Sequence, residues 1–124
     1  MSTLVDTSVL VDAGVLAGLE VEGGWAISAV TLGELHAGVL LAHHEPQQAA
    51  RLRRLSAVLS EAPVLEVDRA VATCYGELRA ATGRMPTNDL WIAATALAHD
   101  LTLLTADERQ AALPLVRTTH VGVR

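Results

Sequence analysis

The chain has no lysine and no phenylalanine, a single cysteine at Cys74, and only Trp25, Tyr75 and Trp91 as aromatic residues. One cysteine excludes an intrachain disulfide framework and any cysteine-based zinc site, so Cys74 is expected to be a buried, inert thiol. Trp25 and Trp91 read as isolated core or interface residues, because so few aromatics make a poor platform for stacking bases. No stretch approaches the roughly 18 uninterrupted apolar residues of a membrane span. The opening Met-Ser-Thr-Leu-Val-Asp lacks both the basic start and the long apolar run of a secretory signal, so a cytoplasmic protein without membrane contact is expected. Positive charge is also short, with nine arginines against fourteen acids and a formal net charge of −5. That balance argues against a broad basic surface gripping nucleic acid, since phosphate neutralisation normally supplies most of that affinity. Bound divalent ions would reverse the sign locally, and arginine still offers bidentate phosphate contacts.

What the chain does have is apolar material. At 51% hydrophobic and 19% charged residues, it can build a real core, and residues 1–124 read as one domain without linker, repeat or low-complexity segment. Short apolar runs alternate with helical patterns, as in βαβ units around a parallel sheet. Strands are predicted at Leu4-Val5, Ala26-Ile27, Val64 to Val67, Leu101 to Leu104 and Leu115 to Thr118. Helices are predicted from Ser8 to about Leu19, Thr31 to about His44, Gln47 to Ser60, Asp68 as N-cap to about Thr82, and Leu90 to His99.

Four acids stand where such a fold would gather them: Asp6 and Asp107 after strands, Glu34 and Asp89 near helix starts. In an open parallel sheet, ligands bind beyond the carboxyl ends of strands, where the following helices begin. Converging carboxylates suit hard divalent ions such as magnesium, which keeps several waters while bound by a few carboxylates and substrate phosphate. Each acid also has a plainer explanation. Asp6 fits an N-cap, Glu34 completes a Thr-x-x-Glu capping box with Thr31, Asn88 or Asp89 can cap the next helix, and Asp107 can cap a short turn. The set of four carries more weight than any member. Asp12 lies six residues beyond Asp6, on a different helical face, and reads as structural. Gly33 and Gly38 weaken their helix for no local gain, which suggests close packing or close approach. His36, His43 and His44 share a helix but lack the i, i+4 pairing of a zinc-protease motif. Arg79 and Arg84, flanking the turn before Asp89, are candidate RNA contacts against the alternative of an ordinary solvated face.

The segments LVDTSVLVD, ISAVTLGELHAGV, PTNDLWIAATAL and LTLLTADE, in this order across nearly the whole chain, resemble the PIN-domain ribonucleases, specifically the toxins of VapBC-type toxin–antitoxin systems. The resemblance makes Asp6, Glu34, Asp89 and Asp107 the catalytic and metal-binding acids, and for such a site Thr7, Ser8, Asn88 and Thr105 are candidate donors that orient the carboxylates. It implies a three-layer α/β/α PIN-like fold with a central parallel sheet, Mg2+ or Mn2+ in the acidic pocket, and endonuclease action on RNA, with tRNA among the candidate substrates. A homodimer and a cognate antitoxin are implied too. The antitoxin would cover the hairpin at about Thr31 to Ser60, where Val39, Leu40, Leu41, Leu55 and Leu59 offer apolar surface or core. One departure stands out: the aromatic residue often found shortly after the fourth acid is missing, and Glu108-Arg109-Gln110-Ala111 stands there, so Glu108 is a candidate to assist or replace Asp107.

Other folds that gather acids fit less well. A receiver domain implies a lysine, a haloacid-dehalogenase-type phosphatase implies an aspartate where Ser8 stands, and dinucleotide binding needs a Gly-x-Gly-x-x-Gly turn. The rival from a different class is a catalytically weak PIN-like module that acts by binding a partner. An expensive cluster of acids is unnecessary for that role.

Overall fold

The computed structural model describes residues 1–12 and 18–122. β1 (Thr3–Val5) leads into α1 (Thr7–Leu10), and β2 (Trp25–Ser28) runs directly into α2 (Ala29–Leu40). Then follow α3 (Glu45–Glu61), β3 (Val64–Leu65), α4 (Arg69–Ala81), α5 (Thr87–Ala98), β4 (Thr102–Thr105), α6 (Glu108–Ala111) and β5 (Thr118–His120). The helix expected from Ser8 to about Leu19 opens one residue earlier and ends at Leu10, with Val11 as its C-cap, and the described residues 12 and 18–20 are not helical; residues 13–17 lie outside the described residues.

The five strands pair in the order β3-β2-β1-β4-β5, and every pairing is parallel. Alternation along each strand sends neighbouring side chains to opposite faces. Leu4, Ala26 and Leu103 join Val71 and Leu78 of α4 and Leu90 and Ile92 of α5 in one apolar layer. Val5, Trp25 and Ile27 join Val9, Leu10, Leu35, Val39, Leu55 and Val58 from α1, α2 and α3 in the other. The result is the expected three-layer α/β/α arrangement. Ala93, Ala94 and Ala96 are fully buried, which lets α5 lie close to its neighbours. Trp91 is not isolated, because its ring stacks on Tyr75 with centroids 4.0 Å apart.

The chain leaves β1 outward through β2 and β3, then returns to lay β4 and β5 on the opposite flank. Connections therefore diverge at β1, and a crevice opens at the carboxyl ends of β1 and β4. Val5 pairs with Leu104 there. The next residue stays attached, with Asp6 N donating to Leu104 O at 2.9 Å.

Several local expectations are corrected. Ser28, at the end of β2, caps α2 by accepting from Val30 N at 3.1 Å. With the helix starting there, Thr31 falls inside it and is fully buried, so the Thr31–Glu34 capping box does not form. α5 opens on Pro86 with no side-chain cap, and Asn88 and Asp89 sit inside its first turn. His44 caps α3, accepting from Gln47 N at Nδ1, so His43 and His44 lie beyond the helix that carries His36. A Cβ added at Gly33 or Gly38 meets nothing within 4 Å, which removes close packing as their reason. The last strand begins at Thr118 rather than Leu115. Leu115 has φ 72 in a turn closed by Val116 N donating to Pro114 O, a rare and strained γ-turn that no strand can contain. Among the described residues no helix is long and apolar enough to cross a membrane.

Candidate active site

Asp6 is the acid with the least freedom. It is 3% exposed, and a buried carboxylate needs donors. As N-cap of α1 it takes Ser8 N at 2.9 Å on Oδ2. Its Oδ1 accepts Gln110 Nε2 at 3.0 Å. The capping explanation is therefore correct, and it serves to aim the carboxylate into the crevice.

Gln110 is the residue that sequence reasoning missed. It is completely buried and joins three elements. Besides Asp6, its Nε2 donates to Asp89 O at 3.2 Å, while its Oε1 accepts from Thr105 Oγ1 at 2.6 Å. Both amide hydrogens are thus spent on the two flanks of the cleft. The one available signal was the missing aromatic after Asp107: a polar residue occupying space expected to be apolar needs buried partners.

Glu34 projects from the second turn of α2. Thr7 Oγ1 donates to its Oε1 at 2.7 Å and lies 3.1 Å from Thr31 Oγ1. Asn88 Nδ2 reaches its Oε2 at 3.5 Å. A neighbour of Asp6 and a neighbour of Asp89 therefore hold Glu34 between them. Asp107 caps α6, accepting Arg109 N at 2.8 Å and Gln110 N at 3.3 Å on Oδ1.

The remaining orienting residues act less directly than expected. Ser8 serves Asp6 through its backbone N–H, while its hydroxyl accepts from Ala106 N at 2.9 Å and lies 3.2 Å from Thr105 Oγ1. Thr105 gives no hydrogen bond to a carboxylate. It accepts from Asp107 N at 3.1 Å and donates to Gln110, so it positions Asp107 by its backbone and Asp6 through the glutamine.

The carboxyl group of Asp89 accepts no hydrogen bond among the described residues. Burial first, then the charges of Asp6, Asp107 and Glu34, push its pKa up to about 6, with Arg109 opposing. Asp89 thus lies within reach of the charge of each of the other three acids. Their donor set is entirely oxygen and strongly negative, which fits a hard divalent ion. No three of these side chains, or of any others, converge tightly enough among the described residues to grip one ion together. The fit is to an ion that keeps part of its water shell, as magnesium does.

The PIN domain profile matches residues 3–115. The chain belongs to the PIN domain family. This PIN domain is 42% identical to Ribonuclease VapC4 of Mycobacterium tuberculosis, over 95% of both chains. Its fold superimposes on the structure of VapBC-5 from the same organism with a TM-score of 0.78 and 31% identity, over 98% of this chain and 100% of the other. VapBC2 of Rickettsia felis, solved bound to a DNA fragment from its promoter, matches with a TM-score of 0.84 over the same shares at 24% identity, a likeness of fold.

At the rim of the PIN domain's cleft, Arg109 Nη2 donates to Arg84 O at 2.9 Å and ties α6 to the loop before α5. Arg79 Nη1 donates to Gly83 O at 3.1 Å. Arg79, in the last turn of α4, and Arg84, in the loop before α5, are both exposed. Glu108 is exposed as well, and Asp107 rather than Glu108 perturbs Asp89. His36, His43 and His44 are all exposed, as solvated histidines should be. Cys74 is half-buried, and burial with the nearby charge of Glu77 raises its pKa, which keeps the thiol protonated and unreactive.

Proposed function

We propose that this PIN domain is a divalent-metal-dependent endoribonuclease acting as the toxin of a VapBC-type toxin–antitoxin pair. The observation that carries the reading is the crevice itself, where burial and three neighbouring acids raise the pKa of a fourth, Asp89, whose carboxyl group accepts no hydrogen bond among the described residues. Likeness to a named ribonuclease over nearly the full length supports the reaction class.

In this reading Asp6, Glu34, Asp89 and Asp107 hold one or two ions of Mg2+ or Mn2+, directly or through water. When bound, the ion lowers the pKa of a water and offsets the charge that builds on the phosphodiester. The chain's own residues do the positioning. Ser8 N–H and Gln110 fix Asp6, Thr7 and Asn88 fix Glu34, and the α6 N–H groups fix Asp107. With no lysine in the chain, arginines at the rim are left to meet RNA, Arg79 and Arg84 among them.

A cognate antitoxin is the proposed protein partner, as in the VapBC complexes whose fold this chain shares. Leu40, Leu41, Leu52 and Leu59 on the α2–α3 hairpin are 44–74% exposed and supply apolar contact surface. Val39 and Leu55 do not, since both are buried in the core. A homodimer and a cytoplasmic setting complete the proposal.

The test is cleavage of a panel of tRNAs and structured RNAs by antitoxin-free protein in Mg2+, Mn2+ or EDTA, beside Asp6→Asn. Cuts that require metal and vanish in the variant are expected. Equal cutting by Asp6→Asn would overturn the site, and absence of both cutting and calorimetric metal binding would leave a partner-binding module as the better reading.

A further inference from the structure

A cavity of about 460 Å3 opens between α2 and α3, lined by Val11, Glu34, Leu35, Gly38, Gln47, Ala50, Arg51 and Arg54. Glu34 lines this cavity as well as the acidic crevice, so the two adjoin at its side chain. Gln47, Arg51 and Arg54 lie at i, i+4 and i+7 of α3, which stacks them along one helical face. Arg51 Nη1 donates to Gly38 O at 2.7 Å, near the negative end of α2, which pins the guanidinium while most of its five N–H groups stay available. Arg54 is half-buried and makes no hydrogen bond or ion pair among the described residues. The only ion pair there is Arg117–Asp100, so neither cavity arginine is neutralised by an acid. Gln47 uses its Oε1 on His43 N at 2.7 Å, which turns its amide hydrogens to other partners.

Two unneutralised guanidinium groups and an amide donor, set in a partly apolar cavity, match a phosphodiester group. In a chain of net charge −5, a local cationic recess beside a carboxylate crevice is also where an anionic strand can approach. We propose that Arg51 and Arg54 form a phosphate subsite for the RNA strand, next to the scissile linkage on the Glu34 side of the crevice. The proposal rests on the ribonuclease reading for its substrate, and it makes Arg54 a residue of substrate binding rather than of bond cleavage. The RNA would then cross the acids from the α3 arginines toward Arg109 and Arg84 on the opposite rim.

Arg54→Gln is the clean variant, since Arg54 has no partner within the described residues, whereas Arg51→Gln also removes the tie to α2. The probe is a fluorescein-labelled single-stranded RNA bound to Asp89→Asn protein, followed by anisotropy across a salt series. Adding Arg54→Gln should weaken binding several-fold and lower the salt slope by about 0.7, as expected when one phosphate is no longer neutralised. In otherwise wild-type protein it should raise KM more than it lowers kcat. A scan with single methylphosphonate linkages should show one position near the cut whose penalty disappears in Arg54→Gln. Unchanged affinity and slope would overturn the subsite, as would unchanged RNA binding with loss of antitoxin from the purified complex, which would give the recess to the protein partner. RNA binding that depends on Arg54 in a protein that never cleaves would instead retain the subsite and overturn the ribonuclease reading.

Discussion

Asp6 and Asp89 face the same crevice and are treated in opposite ways. Asp6 is buried, and both of its oxygens accept N–H donors from the protein. Asp89 is half-exposed, its carboxyl group accepts no hydrogen bond among the described residues, and burial and the acids around it push its pKa to about 6. The first carboxylate is part of how the fold closes. The second is a charge that only Arg109 offsets, and a cation would relieve it. Both are site residues in the proposed reaction, yet one supports the native state and the other works against it.

That contrast can be broken or sharpened by substitution. The largest expected effect is on cleavage: Asp6→Asn and Asp89→Asn should each lose more than the roughly 10- to 100-fold that the outer partners of metal ligands are worth. RNA cleavage at matched metal concentration reads it, and near-normal turnover in either would remove that acid from the site. Gln110→Leu should fall within that roughly 10- to 100-fold range, because it releases Asp6 without removing it. Recovery of cleavage at higher Mn2+ would separate this role from misfolding.

Stability should then divide the pair. Asp6→Ala strands Ser8 N–H and Gln110 Nε2 and should cost about 2–3 kcal/mol in urea unfolding. Asp89→Asn should instead stabilise the metal-free protein at pH 8, by less than about 1 kcal/mol because solvent screens a half-exposed group. The sign with pH follows from a folded-state pKa lying above the ordinary value of 3.8. The stability from protonated Asp89 is complete below about pH 3.8 and is lost as pH rises through about 6. The advantage of Asp89→Asn over wild type should therefore shrink between pH 8 and pH 5, and a gap that stays constant would remove Asp89 as its source. Millimolar Mg2+ or Mn2+ should raise the melting temperature of wild type more than that of Asp89→Asn. Smallest of all, Glu108→Ala should change stability by under about 0.5 kcal/mol and leave cleavage unaltered, since Glu108 does not perturb Asp89.

Much of this was legible in the sequence. Apolar runs punctuated by glycine, proline and capping residues gave the strand and helix order, because period and punctuation are local properties. The four acids were legible because each follows a strand or opens a helix, and parallel topology gathers those points at one edge. Their supports were harder to see. Thr31 and Glu34 read as a capping box, but β2 continues into α2 and moves the cap to Ser28. Asn88 and Asp89 read as caps, yet α5 starts at Thr87 and absorbs them. Leu115 read as strand, and only its backbone shows why it is a turn. Gln110 carried no pattern of its own, since its partner Asp6 lies 104 residues earlier in the chain.

The pairing of β1 with β4 sets Thr3 against Thr102 and Val5 against Leu104. On a ribosome β1 emerges well before β4, so all of the chain between them must be made before this central pairing can form. Closing so long a loop slows assembly more than it weakens the product. A nascent chain ending before β4 has Asp6 without Gln110 and Glu34 without Asp107. The acidic crevice is thus assembled only once β4 and α6 have been made, and translation itself delays its appearance.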